Sequence, residues 1–123
     1  MFAPAKGLSN VIAFVDANRR QLDGFTDEVM PLGDVAAKFR LFGWHSLDVA
    51  DGNDVDQICD AIEKAQQDER PSMIVLHTVK AKGCTYAQAL ENNHNCPVTH
   101  EQAQATLEEL YEQKAALAGE VRK

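Results

Sequence analysis

The feature that most constrains the fold is the run Val11, Ile12, Ala13, Phe14, Val15 and the way it ends. A continuous apolar run this short, β-branched at Val11, Ile12 and Val15, is the pattern of a parallel strand buried on both faces. It stops abruptly at Asp16, Asn18, Arg19 and Arg20. A buried parallel strand that ends in polar side chains delivers them to the carboxyl edge of its sheet, where open α/β sheets bind ligands. Asn18 carries an amide oxygen, a neutral hard donor suited to Mg²⁺ or Ca²⁺. The residues alone leave two readings open: a ligand site, or an ordinary polar loop that Asp23-Gly24 turns back.

The rest of the chain supplies partners for that strand. Phe25 to Leu32 reads as a loop. Asp34 is placed to cap a helix running to Phe42, with Val35, Phe39 and Phe42 on its apolar face and Gly43 at its end. Trp44 to Ala50 reads as a second strand. Asn53 is the expected cap of the next helix, whose Val55, Ile58, Cys59 and Ile62 recur at i, i+3, i+4 and i+7 as a buried stripe. Pro71 forbids its continuation, and Met73 to Val79 is the third strand, buried and parallel. His45 reads as a structural or surface histidine, and His77 as a satisfied interior one. Thr85 to Glu91 suggests a helical turn. Thr99 and Gln102 form a capping box for a closing helix with Ala103, Leu107, Leu110 and Tyr111 on one face, frayed from Ala115 to Lys123.

Composition excludes several function classes. The chain has 123 residues, enough for one core and not for two domains. Its net charge of −7 argues against nucleic acid and against an anionic membrane surface. No apolar run approaches the roughly 20 residues that span a bilayer. The residues after Met1 show no signal-peptide pattern. Cys59, Cys84 and Cys96 form no C-x-x-C pair, which suits free thiols in a reducing cytoplasm. The spacing in Asp51-Gly52-Asn53-Asp54 lacks the acidic twelfth residue of a calcium loop.

Several stretches in order resemble transketolase: V-D-A-N-R-R-Q-L-D-G, F-T-D-E-V, L-G-D-V-A-A-K-F-R-L-F-G-W-H, P-S-M-I-V-L-H-T-V-K-A-K-G-C and E-N-N-H-N-C-P-V-T-H-E-Q. The likeness is strongest to the diphosphate-binding domain of transketolases encoded as separate N- and C-terminal sections. It implies transfer of a two-carbon ketol unit between sugar phosphates with Mg²⁺ and thiamine diphosphate. In that family the metal is held by a G-D-G sequence and a later Asn, and Asn18 matches that Asn. Arg20 matches the position whose main-chain carbonyl reaches the metal, although the family usually has an apolar side chain there. Leu22 matches a residue that packs on the cofactor rings; its residue-level reading is a core leucine below the loop. His94 matches the histidine that approaches the diphosphate and the donor sugar, and so is the expected catalytic residue. The family usually has Gly where Ala81 stands, a substitution that is strained if the position needs a positive φ.

No G-D-G occurs in the sequence. Met1-Phe2-Ala3 resembles the middle of the family's intervening helix, with Pro4 expected to fray it and Gly7 to close it. Residues 1–123 are therefore expected to be a partial thiamine diphosphate-binding domain without the upstream half. The expected fold is α/β, a fragment of a doubly wound parallel sheet with about three parallel strands and flanking helices. The expected partners are sugar phosphates, the remaining transketolase domains or a C-terminal section chain, and other copies of the chain in a homo-oligomer. Nucleic acid and membrane are not expected, the compartment is cytoplasmic, and the isolated chain is expected to be inactive. The carboxylate that activates the cofactor's aminopyrimidine belongs, by the resemblance, to a pyrimidine-binding domain across a dimer interface. The competing readings are a non-catalytic α/β remnant and a binding module for a small phosphorylated ligand.

Overall fold

The computed structural model describes residues 1–120. Three strands, β1 (Ile12–Asp16), β4 (His45–Val49) and β5 (Ser72–Leu76), form one parallel sheet in the order β1-β5-β4. The central strand is the most apolar, and Ser72 to Val75 are buried. Helix α3 (Val35–Leu41) covers one face of the sheet and α4 (Val55–Gln66) the other. Ala36, Met73 and Val75 form the core under α3, joined by Ala13, Val15, Phe39 and Trp44. Val49, Ala61, Ala65 and Ile74 form the core under α4, joined by Ile12 and Ile62. Alternate residues of β5 thus face opposite helices, as the two-residue period of a strand requires. This is a doubly wound α/β architecture.

The remaining elements are short, except the last. They are α1 (Phe2–Ala5), the hairpin of β2 (Arg20–Gln21) and β3 (Gly24–Phe25), α2 (Thr26–Val29), α5 (Thr85–Ala89) and α6 (His100–Glu120). Asp34 accepts a hydrogen bond from the Ala37 N–H at 2.7 Å and caps α3 as expected. Gly43 ends it with φ +88°. Thr99 and Gln102 close the capping box of α6 reciprocally, at 3.3 and 2.8 Å.

Several expectations are corrected. Among the described residues β1 pairs only with β5, and Phe14, expected in a strand buried on both faces, is 48% exposed because α4 packs over β4 and β5. The segment after Gly24 is not all loop: it holds β3 and α2. Phe42 lies past the end of α3 and is exposed. The cap of α4 is Asp54, which accepts from the Asp56 and Gln57 N–H groups, and not Asn53. The buried stripe of α4 centres on Ala61 and Ala65, with Val55 and Cys59 exposed. The small alanines win because they let the helix approach the sheet closely. Residues 2–5 are helical despite Pro4. Ala115 to Glu120 continue α6, and residues 121–123 lie outside the described residues.

Candidate functional site

All three parallel strands end on one side of the sheet, and the polar residues that follow them gather there. Asp16 ends β1, Asp48 lies near the end of β4, and His77 and Thr78 follow β5. Thr78 Oγ1 donates to Asp16 Oδ1, which ties two strand ends together. His77 Nε2 and Asp48 Oδ1 lie 2.6 Å apart, with both side chains half-exposed. His77 is therefore not the interior histidine its apolar neighbours suggested. It stands one residue past the last residue of β5, on the same face as Val75, and lines a cleft of about 530 Å³. A signal was present: Met73, Val75 and His77 alternate, so the third member of that face falls where the strand runs out.

Asn18 lies between this cleft and a smaller one of about 280 Å³. Its Oδ1 accepts the Arg20 N–H at 2.8 Å, and its Nδ2 donates to Asp16 Oδ2 at 3.2 Å. These bonds fix the amide, and Arg19 takes a left-handed φ of +60° so that the chain can turn between them. Arg20 begins β2. Its guanidinium carbon lies 3.6 Å from the centroid of the Phe25 ring, and its Nη1 donates to the Glu91 carbonyl at 2.7 Å. Leu22, in the turn between β2 and β3, is 59% exposed. It is not the core leucine that its apolar character suggested, because the two-residue strands leave nothing above it to pack on.

His94 is brought to the rim of the smaller cleft, its Nδ1 3.4 Å from the Nζ of Lys80, a cleft residue. The segment carrying it is held by the Asn93 amide, which donates to the Ala87 carbonyl at 2.9 Å. Lys80 follows Val79, whose N–H donates to Asn53 Oδ1 at 2.8 Å. That bond explains why Asn53 is not a helix cap: its side chain locks two loops at the carboxyl edge. Ala81 takes φ +61°, so the position does demand a left-handed conformation.

The charge distribution distinguishes the two clefts. Among the described residues the smaller one is lined by Arg19, Arg20 and Lys80 and by no carboxylate, in a chain with 19 acidic residues. It suits an anionic group such as a diphosphate. The fit to a hard metal ion is partial. An amide oxygen has two acceptor sites. Asn18 Oδ1 gives one to Arg20 and keeps one for a cation. Among the described residues no group of three or more His, Cys, Asp or Glu could hold a metal by itself. The neutral oxygens at Asn18 and Arg20 would be part of a shell completed by other donors.

Comparison with known proteins identifies the family and the fold. Residues 1–118 match the family profile described as transketolase, thiamine diphosphate binding domain. The chain is 40% identical over 116 residues to the 6-deoxy-6-sulfo-D-fructose transketolase subunit SqwG of Clostridium sp. (strain MSTE9), covering 94% of this chain and 42% of that one. It is 37% identical over 109 residues to transketolase 1 of Aliivibrio fischeri, covering 85% of this chain and 16% of that one. Among solved structures, transketolase from Campylobacter jejuni superposes with a TM-score of 0.79 at 25% identity, over 88% of this chain and 17% of that one. The chain thus spans less than half the length of these relatives. On the family match over nearly its whole length, the chain belongs to the thiamine diphosphate binding domain family of the transketolases.

Proposed function

We propose that this chain supplies part of the cofactor site of a transketolase that transfers a two-carbon ketol unit between sugar phosphates. The observation that carries the reading is the smaller cleft. A cation-lined, carboxylate-free pocket at the carboxyl edge lies between Asn18 and the loop of His94. Asn18 would hold Mg²⁺ through its side-chain oxygen and Arg20 through its main-chain carbonyl. Thiamine diphosphate, when bound, supplies the carbon nucleophile for the bond chemistry. Lys80 would neutralise diphosphate charge, whereas the Arg19 guanidinium pairs with Asp27 at 2.8 Å. His94 donates a hydrogen bond to a phosphate oxygen or to oxygen charge developing on the donor sugar. Leu22, exposed at the hairpin turn, is free to pack against an incoming ring system.

The same residues explain why the chain should not act alone. Asn18 and one carbonyl are too few donors for a metal that prefers six oxygens. The G-D-G ligand and the activating carboxylate come from other segments, so the working unit is this chain with the remaining transketolase domains. The test has two arms. Titration calorimetry of the 123-residue chain with Mg²⁺ and thiamine diphosphate should show no binding in the micromolar range. A coupled assay from xylulose 5-phosphate to ribose 5-phosphate should show no turnover until sections bearing G-D-G and the pyrimidine-binding domain are added. Turnover by the chain alone would refute the division of the site. Failure of the assembled sections to bind the cofactor would refute the reading itself.

A further inference from the structure

We infer that the Arg20 side chain is a positioning residue that holds the His94 loop against the Asn18 loop. The inference rests on the proposed role of those two loops, and concerns the guanidinium, not the main-chain carbonyl already assigned to the metal. Arg20 and Phe25 are direct cross-strand partners in the β2–β3 hairpin, which places the guanidinium on the ring at 3.6 Å. Stacking fixes the plane of the fork, and Nη1 then meets the Glu91 carbonyl at 2.7 Å. Among the described residues this is the one hydrogen bond between the segment 18–25 and the chain beyond Cys84. Glu91 begins the polar stretch that carries His94, whose N–H donates to Asn92 Oδ1 at 3.3 Å. The loop is also held by the Asn93 amide, which donates to the Ala87 carbonyl at 2.9 Å, by the Tyr86 hydroxyl, which donates to the Pro97 carbonyl at 3.1 Å, and by the 3.4 Å contact of Lys80 with His94, but none of these reaches the Asn18 loop. Arg20 is thereby stapled at both ends: its own N–H to Asn18, its guanidinium to the His94 loop. An aliphatic side chain could fill the same space but could not reach a carbonyl across the cleft.

Amide hydrogen exchange on the full 123-residue chain tests this without any cofactor, so the outcome is separable from that of the transketolase reading. In Arg20→Leu, exchange of the His94 N–H and its neighbours in 91–95 should accelerate about tenfold, the effect of losing one charge-assisted bond that closes a loop. Amides of Ile74 and Val75 in β5 should keep their rates. Arg20→Lys retains a charged donor without the planar stack and should restore part of the protection. Phe25→Leu should loosen the same amides by a smaller factor, and carries the test by itself should Arg20→Leu not fold. Unchanged exchange in 91–95, or equal acceleration there and in β5, would overturn the inference.

Discussion

Ala81 and Gly52 show how the backbone at the carboxyl edge limits what each position can hold. Ala81 sits at φ +61°, where a Cβ crowds the following carbonyl. Ala81→Gly should raise stability by about 1 kcal/mol in urea denaturation, since relief of that crowding outweighs the added freedom of the unfolded chain. Gly52 is the opposite case. A Cβ there would lie 2.7 Å from Leu76 Cβ and 2.9 Å from the Leu76 carbonyl carbon, so the loop after β4 needs glycine to approach β5. Gly52→Ala should destabilise by about 1–3 kcal/mol, the usual penalty for overpacking. The position of Asn18 at the carboxyl edge was legible at this scale because it follows a strand that ends abruptly. His77 was misread, because its apolar neighbours outweighed the alternation of Met73, Val75 and His77 that places it on one face where the strand runs out. The core reading of Leu22 and the buried reading of Cys59 failed for a related reason: hydrophobicity alone does not say whether a neighbour exists to cover the side chain.

At the scale of elements, helix α4 shows what periodicity settles and what it leaves open. The helix was evident from its apolar repeat, but the face it buries turns on which residues are small enough to sit against β4 and β5, and Ala61 and Ala65 are. Its start is set by Asp54, whose carboxyl is held below the usual range by the Gln57 side chain and by backbone N–H groups. Beyond its end, Asp68 is held well below that range by the Arg70 guanidinium and N–H, with His45 adding to the effect. Both folded-state pKa values are depressed, so the unfolded chain binds protons first as pH falls. The stability these groups supply should be complete well above the ordinary aspartate value of 3.8, and should be lost progressively below it. Asp68→Asn should lower the melting temperature at neutral pH, and its melting curve should converge on the wild type as the pH falls below about 3. A constant difference across that range would contradict the assignment. Helix α6 keeps the face read from its spacing but leaves it uncovered. Leu107, Leu110 and Tyr111 share a face as the sequence indicates, yet all three are exposed, because α5 is too short to cover them.

The whole molecule is a doubly wound core with open margins. The outer edges of β1 and β4 carry no partner strand among the described residues, and Phe14, Leu107 and Tyr111 expose apolar surface. Unpaired edges and exposed apolar side chains both favour association. The chain should therefore form oligomers or aggregates, and light scattering should show a mass that rises with concentration. A monodisperse monomer at high concentration would count against this. The parallel strands, the flanking helices and the location of the polar edge were legible because each rests on a strongly patterned segment. The β2–β3 hairpin and the clamp at Arg20 were not, because they depend on two-residue strands and on a contact spanning 71 positions. The proposed role of Asn18 is to help hold the cofactor's metal at this edge. Its most direct test is titration of Mg²⁺–thiamine diphosphate into the enzyme assembled from this chain and sections carrying G-D-G and the pyrimidine-binding domain. Asn18→Ala should weaken binding by at least about tenfold, the scale of disturbing a metal's ligand shell, whereas His45→Ala and His77→Ala should leave it nearly unchanged. Equal losses in all three variants, or none in Asn18→Ala, would contradict the account.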